Sequence, residues 1–306
     1  MSSIEVRPFR RGDREQLAAL VNAHAAAVVP GASVSVNTVM NQLEREPGEF
    51  IVDPWVMDRA TLVAHQRGRI VAAAHLLRYA SGEEVSDSYR DAAEIRWFLY
   101  WPEAPYWPDS DRARDALMTS CLGTLDRWGA PKQYADGALP VPGVYGVPDQ
   151  WPHVRTAYEQ AGFSYRGNTE IVYIAKIHEL PMPGEPPIPG VVLRRSVGIN
   201  GTRLSAAVGD ETAGYIEVET LEDAGRVPRN GGMADIGNLH VLEKYRRRGL
   251  ATWLIGKARE WLILSRTEQV LAYASPEEGD CTSLLEAVGF GRLTRTERGW
   301  VRGHKW

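Results

Sequence analysis

Two rhythms of apolar residues alternate along this chain, and their order sets the predicted elements. EVRPF (5–9) alternates at period two and opens a strand, whereas DREQLAALVNAHAAAV (13–28) places apolar positions at helical spacing. TLVAHQR and GRIVAAAHLL (61–77) read as a hairpin, and the stretch between Arg7 and Thr61 has room for two helices. Later, RLSAAVGDETAGYIEVE (203–219) reads as a hairpin, MADIGNLHV (233–241) as a strand and LATWLIGKAREWLILSR (250–266) as a helix. QVLAYAS (269–275) is a strand, TSLLEAVGF (282–290) a short helix ending at glycine, and GRLTRTERGWVRG (291–303) a final hairpin. The mixture predicts an α/β (α+β) protein.

Between the two series lies ELPMPGEPPIPG (179–190), whose five prolines and two glycines forbid a regular helix or inner strand and favour a semi-rigid spacer. The predicted domains are therefore 1–178 and 191–306, joined by 179–190. The halves overlay: TLVAHQRGRIVAAAH (61–75) lies on RLSAAVGDETAGYIE (203–217), AEIRWFL (93–99) on ADIGNLH (234–240), and AYEQAGF (157–163) on LLEAVGF (284–290). Order and spacing agree although identities are few, the pattern of a divergent internal duplication. The second half has no space for helices between Arg194 and Arg203, so one half keeps helices that the other has dropped.

Composition narrows the classes. At 306 residues, with 44% hydrophobic and 24% charged, the chain has the balance of a water-soluble protein of two domains. Thirty-nine acidic against 35 basic residues leave a net charge of −4, which predicts neither nucleic acid nor a membrane as partner. Cys121 and Cys281 cannot make a disulfide framework, and no Cys/His cluster predicts a metal. The opening MSSIEVRPFRRGD turns charged at once and lacks the apolar core of a secretory signal, which predicts a cytoplasmic location.

The strongest chemical signal is HVLEKYRRRGLATWLI (240–255). A strand ends near Val241, a basic turn follows, and Gly249 opens an amphipathic helix. Gly249 and Ala251 lack bulk, so a ligand can come close to the backbone N–H groups of the helix start. Arg246, Arg247 and Arg248 add guanidinium donors suited to phosphate oxygens. The alternative is a solvated basic turn that caps a surface helix. Arg246-x-x-Gly249-x-Ala251 between strand and helix, with Gly289-Phe290 after a later short helix, resembles the acyl-CoA loop and a later motif of the GNAT superfamily of N-acetyltransferases. The resemblance covers the second half well and the first as a worn copy. It implies a tandem arrangement of two GNAT-like domains, each a mixed, mostly antiparallel sheet flanked by helices, with a degenerate N-terminal copy.

Carried onto this sequence, the resemblance implies acetyl-CoA as cosubstrate and an amine acceptor, a small molecule or a peptide. Leu239, His240 and Val241 would line its pantetheine arm, the Val241 N–H would polarise the thioester oxygen, and Arg246, Arg247, Arg248, Gly249, Leu250 and Ala251 would cradle the pyrophosphate. His240 should face away from Leu239 and Val241. Asp235 holds the position of the family's general base, needed because the acceptor arrives mainly as ammonium. Glu217 and Glu219, at i, i+2 on the neighbouring strand, are alternative bases. The tyrosine that often returns a proton to the thiolate is Leu285 here, and the asparagine that often precedes it is Glu278. No residue stands out as a covalent nucleophile, so the expected reaction is direct attack in a ternary complex.

The first half lacks the loop. Pro102, Pro105 and Pro108 with Glu103, Asp109 and Asp111 stand in its place, and the acids should cap the following helix and repel a pyrophosphate. Glu94 matches Asp235, and Tyr158 matches the missing tyrosine. Trp97, Tyr100, Trp101, Tyr106 and Trp107 either fill the unused cleft or form a platform for an acceptor, with His153 as a polar handle. Without its own wall of helices, the second domain's acceptor side is open, or walled by the first domain or by a partner subunit in a homodimer. The rival reading is a non-catalytic acyl-CoA-binding or scaffold protein.

Overall fold

The computed structural model describes residues 3–45, 53–101, 109–141, 143–221 and 232–303. Two compact units emerge, one of residues 1–169 with 295–306 and one of residues 170–294.

The first unit opens with strand β1 (Glu5–Pro8), then helices α1 (Arg14–Val28) and α2 (Val36–Glu44), the two helices for which the sequence has room. Ser35 starts α2 by accepting a hydrogen bond from the Thr38 N–H. Strands β2 (Val56–Gln66) and β3 (Arg69–Tyr79) form the expected hairpin, turning through Arg67 and Gly68, both at positive φ. β4 (Ala92–Tyr100), α3 (Ser110–Arg127), β5 (Lys132–Ala135), the short β6 (Val147–Pro148) and α4 (Pro152–Gln160) complete the series. Every residue of β4 is buried, because α1 packs on this strand along with α3.

Strand β7 (Phe163–Lys176) crosses from the first unit into the second, where its later residues pair with β12. The second unit continues with β8 (Val191–Val197), β9 (Thr202–Val208), β10 (Glu211–Thr220), β11 (Gly232–Val241), α5 (Leu250–Leu264), β12 (Thr267–Ala274) and α6 (Gly279–Ala287). Its strand order is β7-β12-β11-β10-β9-β8, with only β11 and β12 parallel. The amphipathic α5 lays Leu250, Leu254, Ala258 and Leu262 on Leu204, Ile216, Val218, Ala234 and Ile236 to make the core. Between β8 and β9 there is only a tight turn, closed by Gly198 N–H to Gly201 O at 2.8 Å, so no helices stand at that place.

Three expectations change. The proline-rich stretch does not float as a spacer: Leu180 and Ile188 are buried in the second unit's core, and Trp253 Nε1 donates to Gly184 O at 3.1 Å. Pro183 lies so close to Gly256 that an added Cβ would stand 2.9 Å from its nitrogen, so the strap needs glycine beneath it. Residues 291–303 form no hairpin but the single strand β13 (Gly291–Arg302). Its last residues pair with β5 and its middle with β6, so the chain's end completes the first unit's sheet. Strand β8, unread in the sequence, is the third change: only Val191 is buried, and no period-two alternation marks it.

The sequence overlay reappears in register. Thr61 faces His75 as Arg203 faces Glu217, and each sheet then has a bulge at the same step, at Arg96 in one unit and Gly237 in the other. Gly162 and Gly289, both at positive φ, end the matching helices.

Candidate active site

The second unit's sheet opens at one point. β11 pairs with β12 from Gly232 to Asp235 and then runs on to Val241 with only β10 as its sheet neighbour. The bulge explains the parting. Glu217 and Val218 are consecutive yet face Asn238 and Ile236, leaving Gly237 over, and such an extra residue bends and twists its strand. A Cβ on Gly237 would lie 2.5 Å from the Asn200 Cβ, so the close approach of the β8–β9 turn depends on glycine.

Beyond the bulge, Leu242 donates its N–H to Ala213 O at 2.9 Å, toward β10. Neighbouring residues of a strand point their N–H groups to opposite edges, so the Val241 N–H is turned to the open side. Arg246 Nε takes the Val241 carbonyl there at 3.0 Å. The loop that follows alternates in backbone hand, with φ of +58° at Arg247 and +80° at Gly249, the kind of conformation that gathers N–H groups into an anion-binding nest. Gly249 is the N-cap of α5, and its carbonyl accepts from the Trp253 N–H at 3.0 Å. Among the described residues no backbone partner takes the N–H groups of Gly249, Leu250 and Ala251. Arg246, Arg247 and Arg248 are all exposed, with Arg247 3.5 Å from Asp280.

On the face of the sheet away from α5 the polar residues collect. Asp235 stands directly opposite Glu219, and Tyr273 on β12 donates its hydroxyl to Asp235 Oδ2 at 2.9 Å. Glu217 shares this face but is wholly buried and occupied: it accepts from Arg203 Nε at 2.6 Å and from the N–H groups of Ile199 and Asn200 at 3.3 Å. Arg203 also lies over the Tyr215 ring, which tilts against His240. Leu239 and Val241 pack on the core side, so His240 does point the other way. The structure thus brings Asp235 and Glu219 together at the opening and spends Glu217 on holding a turn.

The departures also find places. Leu285 is a core residue, and Glu278 is the N-cap of α6. Cys281 is half-buried, and burial pushes its thiol up, which fits a packed residue and not a nucleophile. Tyr273 is a polar group that spans the opening; its sequence signal is its place one alternation beyond Leu271, the last residue of β12 paired with β11.

In the first unit the matching positions are closed. β4 parts from β5 after Ile95, but Trp97 donates to Gln42 Oε1 at 3.1 Å, and Gln42 Nε2 donates to Ala138 O at 3.1 Å, so α2 stitches the gap. Trp97 and Tyr100 are buried, which makes them filling; Trp101 is half-buried. Glu94 is buried, accepts the Tyr79 hydroxyl and lies 3.5 Å from Arg96, and burial pushes its carboxyl up against the pull of that arginine. Tyr158 gives its hydroxyl to Asp136 O at 2.6 Å, and Tyr100 donates to the backbone carbonyl of His153. Asp109 accepts from Gln66 Nε2 at 2.8 Å and makes no side-chain cap to α3, contrary to the capping expected of it. Pro102, Glu103, Pro105, Tyr106, Trp107 and Pro108 lie outside the described residues. No group of three metal-ligating side chains occurs among the described residues, and none of their helices is long and apolar enough to cross a membrane.

The model of the acetyltransferase (GNAT) family matches residues 178–290, the stretch holding the strap, the opened sheet and the basic loop. Over that stretch the chain is similar to GNAT acetyltransferases. Solved structures share the GNAT fold over nearly the whole chain, and one of them is a tandem GNAT protein. A tandem GNAT protein from the clavulanic acid biosynthesis pathway, solved without acetyl-CoA, is 15% identical, with 99% of this chain and 100% of that one aligned at a TM-score of 0.66. A GCN5-related glucosamine N-acetyltransferase region of a fungal multi-domain GH3 beta-N-acetylglucosaminidase is 13% identical, also at 0.66, with 98% of this chain covered. The chain spans 38% of that fungal protein. A GCN5-related N-acetyltransferase from Sphaerobacter thermophilus is 13% identical, covering 98% of this chain and 95% of that one at 0.61. At these identities the likeness is one of fold. No curated protein matches the chain.

Proposed function

We propose that this GNAT protein is an N-acetyltransferase whose second unit binds acetyl-CoA and passes the acetyl group to an amine. The observation that carries the reading is the parting of β11 from β12 at Asp235, with the Arg246–Ala251 loop at the end of the freed strand. Its open edge suits a pantetheine arm, and the left-handed Gly249 leaves the loop without a side chain where a pyrophosphate would sit. Bound acetyl-CoA supplies an acetyl thioester. Arg246 to Ala251 hold its phosphates, Leu239 to Val241 align its arm, and the Val241 N–H polarises the carbonyl oxygen. Asp235 takes the acceptor's ammonium proton and passes it to water, which frees the amine to attack the thioester carbonyl; as the C–N bond forms and the C–S bond breaks the thiolate leaves, and the nitrogen's second proton goes to that thiolate or to water.

The first unit serves as a degenerate copy, its cleft filled by Trp97 and Tyr100 and its Glu94 buried against Arg96. One observation favours the non-catalytic alternative: Leu285 occupies the core position where the thiolate's acid would stand. Thiol release from acetyl-CoA separates the two, assayed with glucosamine (the acceptor class named for the fungal region), spermidine and a lysine peptide as probes. Release that depends on an amine and disappears in Asp235→Asn supports the transferase. Tight binding of acetyl-CoA with no release supports the scaffold.

A further inference from the structure

A carboxylate that accepts a proton from an ammonium-forming amine has to be ionised at neutral pH and still hold a proton well, and its neighbours decide where that balance falls. Among the described residues Asp235 has two such neighbours of opposite effect. Glu219 is its direct cross-strand partner, so their Cβ atoms stand roughly 4.5–5.5 Å apart, a position where strands ordinarily avoid like charges. Glu219 is exposed and makes no ion pair among the described residues. Tyr273 reaches across the opening from β12 to donate to Asp235 Oδ2 at 2.9 Å.

We propose that Glu219 and Tyr273 set the proton affinity of Asp235 from two sides, Glu219 raising it and Tyr273 lowering it. The inference rests on Asp235 being the base of the proposed acetyl transfer. A nearby negative charge disfavours the ionised carboxylate, and a hydrogen bond donated to that carboxylate favours it. Among the described residues other titratable side chains share this face. Glu217, one alternation along β10, is paired with Arg203 of β9. His240 lies past Asn238 on β11, against Tyr215 of β10. α5 covers the opposite face, where Ala234 and Ile236 point. Glu219 and Tyr273 are therefore positioning residues that act through Asp235, and the exposed Glu219 adds attraction for an incoming ammonium.

The test is the pH dependence of kcat for thiol release by the full chain, with acetyl-CoA and whichever of glucosamine, spermidine and the lysine peptide turns over fastest, from about pH 5 to about pH 9. Tyr273→Phe should move the acidic limb up by about one pH unit and Glu219→Gln should move it down by about as much. KM for acetyl-CoA should stay within about twofold in both. Opposite shifts are the signature, because general damage to the sheet would not move the limb in two directions. A limb that stays put in either variant, or moves the same way in both, overturns the proposal while leaving acetyl transfer standing. A wild type that neither binds acetyl-CoA nor releases thiol overturns acetyl transfer itself, and the tuning with it.

Discussion

Replacing Arg203 by alanine separates a structural carboxylate from a catalytic one. Glu217 is 0% exposed, and its charge is met by Arg203 Nε at 2.6 Å and Nη2 at 2.5 Å, with two backbone N–H groups at 3.3 Å. Stripping one partner from a buried ion pair costs about 3–5 kcal/mol. Two N–H donors remain, and the Arg203 side chain is 31% exposed, so water can reach part of the site and the lower end applies, about 3 kcal/mol. Glu217→Gln keeps the shape and leaves a guanidinium that can hydrate, for about 1–2 kcal/mol. The double variant should cost less than the sum, because the pair is lost only once. Hydrogen exchange of peptides from β9 and β10 reads this locally, and Arg203→Ala should speed exchange there by about a hundredfold. Turnover of folded Glu217→Gln should be close to normal. Stability within about 0.5 kcal/mol in these variants, together with lost turnover in Glu217→Gln, would refute the structural assignment and make Glu217 the base.

Other consequences are local to the first unit. Burial, with Arg59 and Arg96 nearby, lowers the His75 imidazole to about 3. The unfolded chain therefore takes up a proton near pH 6.5 that the fold refuses, so the contribution is whole above pH 6.5 and is lost as the pH falls toward 3. The loss runs at about 1.4 kcal/mol per pH unit, to a limit of about 5 kcal/mol. Urea midpoints against pH should fall less steeply in His75→Gln, some slope remaining from His153, also lowered to about 3 by burial; an unchanged slope would contradict this. Trp300 on β13 is 2% exposed and lies against the rings of Tyr158 and Tyr165. Trp300→Ala should remove about 3–5 kcal/mol, and hydrogen exchange should quicken in β5 and β6, although the residue belongs to the chain's last strand. Quickening confined to α5 and β12 would contradict the assignment of that strand.

Local signals carried much of this fold. Arg67-Gly68 and Gly209-Asp210 mark hairpin turns by chemistry that sequence displays, and α5 carries its period openly. The loop at Arg246–Ala251 is legible because glycine, basic residues and a helix start fall within one short run. Pairings between distant segments carry no such mark. β13 looks like a hairpin because Gly299 breaks its run, yet that glycine takes a φ of +78° inside a continuing strand. Nothing near residue 300 announces β5 as its partner, nor β12 near residue 172, and so the units cross the proline-rich boundary. A cut at residues 179–190 would leave each unit short of a strand. Sequence alone gives no warrant to place Tyr273 in the site, for a related reason: its reach to Asp235 depends on where two strands part, beside the bulge at Gly237.

The proposed acetyl transfer requires one cofactor site, in the second unit, and none in the first. The decisive experiment is calorimetric titration of the whole protein with acetyl-CoA, beside Gly249→Asp. A side chain at Gly249 would strain a φ of +80° and, as aspartate, would set a negative charge in the loop. Binding at one equivalent per chain, abolished in the variant, is the expected result. Binding that survives Gly249→Asp, a second equivalent, or no binding by the wild type would contradict it.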